Sequence, residues 1–278
     1  MSTAVVRKAA VAGTWYPGSA SRIRKEVESY LAQVPPVVPP GRLLGLISPH
    51  AGLMYSGPVA AHGYSLLRGK RDLVAVLVGP SHRVPFEGLA VFAHGAFESP
   101  LGRVRIDEDF AERLLSAHPF MIDMPQPHRG EHSLEMQLPF LQHLVPGLRI
   151  VPILMGHQKE EEVQALAEAL VAAATGREDV LLVASSDLSH YHPASTANEL
   201  DSLVVGDVRD FDALGLMARL VSSPGHACGG GPMVAVMTAA RRLGADQALV
   251  LRYADSGDVG ERDKSRVVGY LSAALFAS

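Results

Sequence analysis

Four short stretches of this 278-residue chain hold side chains that can do chemistry. They are Ser48-Pro49-His50-Ala51-Gly52, Gly79-Pro80-Ser81-His82, Ser185-Ser186-Asp187-Leu188-Ser189-His190-Tyr191-His192 and His226-Ala227-Cys228-Gly229-Gly230-Gly231-Pro232. Neutral imidazole binds iron, copper, zinc and nickel. His50 and His82, in matching Ser/Pro–His settings, therefore read as a pair of metal ligands. Pro49 and Pro80 restrict the backbone, and Gly52 and Gly79 allow tight turns, which suits fixed ligand geometry. Each taken alone is equally a loop histidine satisfied by hydrogen bonds. Cys228, the sole cysteine, reads as a third ligand. It stands before a glycine run and a helix start, whose amides favour a thiolate; the other reading is a small buried apolar side chain.

Asp187 and His190 read as an acid/base pair, Asp187 orienting the ring or adding a metal oxygen. The alternative is a loop-capping aspartate beside a surface histidine. In Glu131-His132-Ser133-Leu134-Glu135, His132 and Glu135 are three apart and would share a helix face. With His192 they are candidates to support the ligands from behind, or they mark only a capped helix start. Cys228, His190 and Asp187 also have the residue types of a thiol hydrolase or transferase.

The elements that must position these groups alternate. Leu43–Ser48, Leu73–Val78, Leu89–Ala93, Arg149–Met155, Val180–Ala184, Ala248–Tyr253 and Val267–Leu275 read as strands. Pro58–Leu67, Asp107–Ala117, Ser133–Leu144, Lys159–Ala174, Thr196–Leu220 and Gly231–Leu243 read as helices. Near-continuous Val/Ile/Leu strands are covered on both faces, which implies an α/β fold around a central, mostly parallel or mixed sheet. In such sheets ligands sit beyond the carboxyl ends of strands, and three of the four polar stretches follow strands directly. One domain is the simplest organisation: a short N-terminal segment over residues 1–34, a Pro-rich connector over 35–41 and the main body over 42–278.

Composition excludes several classes. With 25 Lys and Arg against 29 Asp and Glu the net charge is −4, too acidic for nucleic-acid binding by bulk charge. A chain 47% hydrophobic and 19% charged is not disordered. One cysteine permits no internal disulfide and no multi-thiolate zinc site, and fits a reducing, cytoplasmic setting. The N-terminal stretch lacks the apolar run of a signal peptide, and no segment approaches a membrane span.

Taken in order, the motifs resemble a known family. Arg7, Ala12-Gly13-Thr14-Trp15-Tyr16-Pro17, Ser48-Pro49-His50-Ala51-Gly52-Leu53-Met54-Tyr55-Ser56-Gly57 and Gly79-Pro80-Ser81-His82 are similar to those of the Memo family (mediator of ErbB2-driven cell motility). So are Glu131-His132-Ser133-Leu134-Glu135-Met136-Gln137-Leu138-Pro139, Ser185 to Tyr191, Cys228-Gly229-Gly230-Gly231-Pro232 and Val267-Val268-Gly269-Tyr270. Microbial members are called AmmeMemoRadiSam system protein B. The resemblance implies a fold like that of class III extradiol dioxygenases, in which two His and one Glu hold a non-haem Fe(II) and a further His moves protons. By motif, His50 and His82 are the His ligands, Cys228 stands where the carboxylate would, and His190, with Asp187 beside it, is the acid/base group. Fe(II) ranks first as cofactor, copper second and zinc third. A thiolate is softer than a carboxylate, which shifts preference towards Cu(I) or zinc and away from ring cleavage. The resemblance further implies peptide binding, as phosphotyrosine peptides bind the animal members, and AMMECR-type and radical SAM partner proteins. Three functions follow as expectations: a metal-dependent oxidoreductase, a non-catalytic peptide- or protein-binding module on the same scaffold, and the thiol hydrolase or transferase.

Overall fold

The apolar runs fold as strands wherever they are too short and too β-branched for a buried helix. In a computed structural model, which describes residues 5–260 and 263–278, they build one sheet. Residues 1–4, part of the stretch read above for a leader, lie outside the described residues. The chain runs β1 (Val6–Arg7), α1 (Ala20–Leu31), β2 (Arg42–Ser48), α2 (Leu53–Tyr64), β3 (Val74–Pro80) and β4 (Leu89–Val91). It continues through β5 (Ala96–Ser99), β6 (Gly102–Ile106), α3 (Glu108–Ala117), β7 (Met121–Asp123), α4 (Leu138–Leu144), β8 (Arg149–Met155) and α5 (Glu160–Ala174). Then come β9 (Val180–Ser185), β10 (His190–His192), α6 (Ala194–Arg209), α7 (Ala213–Ser222), α8 (Gly230–Arg242), β11 (Gln247–Asp255), α9 (Ser256–Val259) and β12 (Val267–Ala277).

The strand order is β1-β5-β6-β8-β3-β9-β2-β12-β10, with β11 on β12 and β4 against β7 and β8. The centre, β8-β3-β9-β2, is parallel, and β12 closes it antiparallel to β2. The sheet is thus mixed, with a parallel heart. Every residue of β3 and β9 is buried, so helices cover both faces there. Helix α8 packs on β2, β3 and β9, and α2 on β2, β11 and β12. No helix of the described residues is long and apolar enough to cross a membrane.

Several boundaries differ from the sequence reading. Helix α2 begins at Leu53 with Pro58 inside it, although proline usually marks a first turn. The segment from Ser133 is irregular, then 3₁₀ over Glu135–Gln137, before α4. The long helix expected over Thr196–Leu220 is two helices, broken at Phe211, whose φ is +55°. Helix α1 buries a stripe of Ile23, Val27 and Leu31 at intervals of four; the flanking Arg22 and the intervening Arg24 and Lys25 hide that stripe in the sequence.

Candidate metal centre

Parallel register explains how distant histidines meet. Ser48 of β2 lies beside Ser185 of β9, and Val78 of β3 beside Ala184. The three strands therefore leave the sheet at one edge. Two residues past the end of each come His50, His82 and Asp187. The rings of His50 and His82 are 5.2 Å apart, edge to face. His132 arrives from the loop before α4 and lies 5.5 Å from the His50 ring and 4.7 Å from that of His82, on which it stacks. Gly79 makes room for this loop. It is a strand residue rather than a turn residue, and a Cβ there would come within 2.7 Å of Leu134.

Among the described residues, His50, His82 and His132 form a group whose donor atoms all lie within 4.8 Å of one another. Two imidazoles on one ion, with metal–nitrogen bonds of about 2.1 Å, are separated by roughly 3–4 Å, so the group is close to coordinating geometry. Hydrogen bonds fix which nitrogens are available. The Gln137 amide nitrogen donates to the Pro49 carbonyl (3.1 Å) and the Ser185 hydroxyl (2.7 Å), and that hydroxyl donates onward to the Ser133 carbonyl (2.7 Å). The hydroxyl proton is thereby committed, so His50 Nδ1, 2.9 Å from Ser185 Oγ, must donate to it. The lone pair of His50 is left on Nε2. His82 Nδ1 faces Glu131 Oε1 at 2.9 Å, so in the neutral ring it donates there and the lone pair is on Nε2. His132 Nδ1 is 3.2 Å from Glu131 Oε1 but out of line with it, and is a buried nitrogen without a hydrogen-bond partner among the described residues. Two directed lone pairs and one orphaned buried nitrogen fit a transition metal well.

Glu131 is the carboxylate behind this arrangement. It accepts from the His82 amide (2.6 Å), the His82 ring and the amides of His132 and Ser133 (2.9 Å each). Burial alone would raise its pKa, but the His82 ring, the Ser133 amide and the His132 ring bring it down to about 2. From the sequence it is Glu135, with His132, that reads as that support. Glu135 accepts from Arg7, from the Ala10 and Val11 amides and from the Tyr16 hydroxyl, and so anchors the N-terminal segment. That segment delivers Trp15, whose ring is 4.2 Å from His132.

The group opens into a cavity of about 660 Å³, walled by residues that include Trp15, Tyr55, Asp187, His190, Tyr191, Arg266 and Tyr270. His190 faces it, and burial lowers its pKa. Asp187 faces it too. Burial raises its carboxyl to about 7, although the amides of His50 and Ala51 donate to it. No hydrogen bond joins Asp187 to His190 among the described residues; the backbone of His50 holds Asp187. His192 pairs with Val267 on β10 and stands outside the cavity wall. Cys228 is not a member of the three-histidine group. Its sulfur is 3.2 Å from His50 Nε2, and the Asp187 amide donates to it at 3.3 Å. The helix start does not produce a thiolate. Burial pushes the thiol pKa up and the Asp187 charge adds to it. The imidazole beside the sulfur is His50, not the His190 of the thiol-hydrolase reading.

Burial also holds several histidines neutral, His132 at about 4 and His128 at about 3. The His128 ring donates to the Ala90 carbonyl (3.0 Å), and its Nδ1 has no partner among the described residues. A depressed folded-state pKa gives stability that is complete above the unfolded value of about 6.5 and is lost as pH falls. At pH 5 each such histidine costs about 2 kcal/mol. Asp187 acts in the opposite sense, so the contribution is read by difference. In metal-free protein, His128→Gln should reduce the stability lost between pH 7 and 5 by about 2 kcal/mol. Denaturation curves for both proteins check this; parallel pH profiles would contradict it.

The model of the Memo-like protein family matches residues 7–274. Relatives described as MEMO1 family proteins include one from Sulfolobus acidocaldarius, 37% identical, covering 96% of this chain and 98% of its own length. Another, from Methanosarcina mazei, is 37% identical over 95% of this chain and 97% of its own. Among solved structures, an uncharacterized protein from Escherichia coli K12 superposes with a TM-score of 0.52 at 14% identity, over 83% of this chain and 99% of the other, a likeness of fold alone. The ordered motifs, the parallel edge that gathers them and a match over nearly the whole length agree: this chain belongs to the Memo family.

Proposed function

We propose that this protein is a metal-dependent oxidoreductase, with Fe(II) the first choice of ion, copper the second and zinc the third. The observation that carries the reading is the pair of fixed tautomers, which leave His50 Nε2 and His82 Nε2 as directed lone pairs beside His132. Imidazole nitrogen suits all three metals. An iron(II) ion in this site supplies Lewis acidity and one-electron chemistry. Cys228 is 3.2 Å from His50 Nε2, about the spacing of two donors on one tetrahedral ion, and is proposed as a further donor on that side.

The chain's own residues supply the rest. Trp15, Tyr55 and Tyr270 wall the cavity and limit water at the reacting atoms. The His190 ring, neutral near pH 7, takes a proton from a bound substrate. Asp187, with its carboxyl near 7, holds or releases one at the same pH. A second reading, a peptide- or protein-binding module on the same scaffold, is favoured by the exposed Met54 and Tyr191 at the cavity mouth. One experiment separates the two. Oxygen uptake under added Fe(II) should fall at least a hundredfold in His82→Ala while thermal stability is kept. No metal-dependent uptake in the parent protein, with ligand binding indifferent to His82→Ala, supports the module.

A further inference from the structure

The fourth strand of the parallel heart also ends at the functional edge. Met155, the last residue of β8, lies beside Pro80 of β3, and Gln158 follows a short way beyond it. The φ of Gln158 is +55°, a left-handed conformation that residues with a long side chain avoid. Strained backbone of this kind persists where the surroundings enforce it, often beside a functional site. Here the surroundings are the turn that carries Cys228. The Gln158 amide nitrogen donates to the Cys228 carbonyl, and its amide oxygen accepts from the Gly231 N–H, each at 2.8 Å. A carbonyl can only accept and a backbone N–H can only donate, so the orientation of the Gln158 amide is fixed. Gly231 lies in the first turn of α8, where backbone N–H groups have no partner within the helix, and Gln158 satisfies one of them from outside. A Cβ on Gly231 would come within 2.9 Å of the Gln158 Cβ, and one on Gly229 within 2.3 Å of the Ser185 carbonyl oxygen. The glycine run thus lets the Cys228 turn lie tightly between two loops. On the β9 side the Cys228 amide donates to the Asp187 carbonyl (3.2 Å) and the Gly229 amide to the Ser186 hydroxyl (2.9 Å). On the β8 side the contact is Gln158. Cys228 belongs to no helix or strand, so these contacts set where its sulfur lies, 3.2 Å from His50 Nε2.

We propose that Gln158 is a positioning residue for Cys228: its amide clips the Cys228 carbonyl to the start of α8 and so holds the sulfur within reach of an ion on the His50 side. This deepens the reading of the site as a metal centre with Cys228 as a further donor and rests on it. Each strand of the parallel heart then serves the centre, β2 through His50, β3 through His82, β9 through Asp187 and β8 through Gln158. An amide suits the task because one planar group donates and accepts at once and carries no charge to oppose a thiolate. A left-handed backbone is kept because the clip needs that side chain at that angle.

Cobalt(II) is the probe, because a thiolate on cobalt gives an intense near-ultraviolet charge-transfer band that imidazole nitrogen does not. The full chain, stripped of metal by a chelator, is titrated with Co(II) under anaerobic conditions. The parent should show the thiolate band, and Cys228→Ala should lose it while still binding Co(II) through the histidines. Gln158→Gly should bind Co(II) about tenfold more weakly, with the band reduced to about half or less. Its metal-free melting temperature should change little, since glycine relieves the left-handed backbone while two hydrogen bonds are lost. Gln158→Met fills similar space without the polar atoms and should lose the band as Gln158→Gly does. A full band in both variants would overturn the proposal. So would a full band in Gln158→Met alone, because packing rather than hydrogen bonding would then place the sulfur. So would a band that falls only in step with the histidine-bound cobalt spectrum and the melting temperature, the mark of general unfolding. The underlying reading fails in a different way: a parent that binds Co(II) without the band removes Cys228 as a donor and the clip with it, and a parent that binds no Co(II) removes the metal centre itself.

Discussion

Glu131→Ala is expected to weaken metal binding roughly ten- to a hundredfold, as loss of a carboxylate behind a ligating imidazole typically does. Glu131 accepts the His82 Nδ1 proton and the His82, His132 and Ser133 amides. Without it, His82 can move its proton to Nε2 and lose the lone pair, and the loop that carries His132 loses its anchor. Glu131→Gln separates these effects. Its amide oxygen can still accept from the ring, so tautomer control persists in part while the charge is gone. Competitive chelator titrations should rank the parent first, Glu131→Gln second and Glu131→Ala last. Equal affinities in all three would mean that this carboxylate does not govern His82.

Arg7→Met is expected to cost about 3–5 kcal/mol of stability, the usual result of leaving one half of a buried ion pair alone. The Arg7 and Glu135 side chains are 1% and 0% exposed. Arg7 donates to Glu135, to the Glu131 carbonyl and, at 2.9 Å, to the His128 carbonyl, and its guanidinium lies 5.0 Å from the Phe97 centroid. It thereby ties β1 to the loop holding Glu131 and His132. Arg7→Lys keeps the charge but not the three-way fork, and should recover only a fraction of the loss. Urea unfolding measures both; a change below about 1 kcal/mol in Arg7→Met would show that the fork is not needed.

The parts of this molecule legible in its sequence are those fixed by local patterning. Strands β2, β3, β8 and β9 have near-continuous apolar centres, and their polar sequels mark the functional edge because parallel strands bring their carboxyl ends together. That logic makes His50 and His82 candidates, and the family resemblance, more than the spacing, makes them ligands. From the sequence His132 reads only as a supporting residue, since its loop follows no strand of that set and looks like a helix start. Glu131 was hidden for the same reason: a carboxylate beside a histidine resembles a capping group until the fold turns it onto His82. Arg7 and Glu135, 128 residues apart, carry no local signal, because an ion pair between distant segments leaves no periodicity. Strand β10 and its bulge are equally silent, as His190-Tyr191-His192 has no apolar alternation. Helix α1 was obscured by the basic residues between its buried positions.

The metal-dependent function proposed for this site requires one ion bound by the His50 and His82 rings with His132 alongside. X-ray absorption at the metal edge, on protein loaded with one equivalent of Fe(II) under anaerobic conditions, tests that most directly. Scattering characteristic of two to three imidazoles is the predicted result, with that component lost in the His50→Ala/His82→Ala variant. A bound ion with no imidazole scattering, or an unchanged spectrum in the double variant, would contradict it.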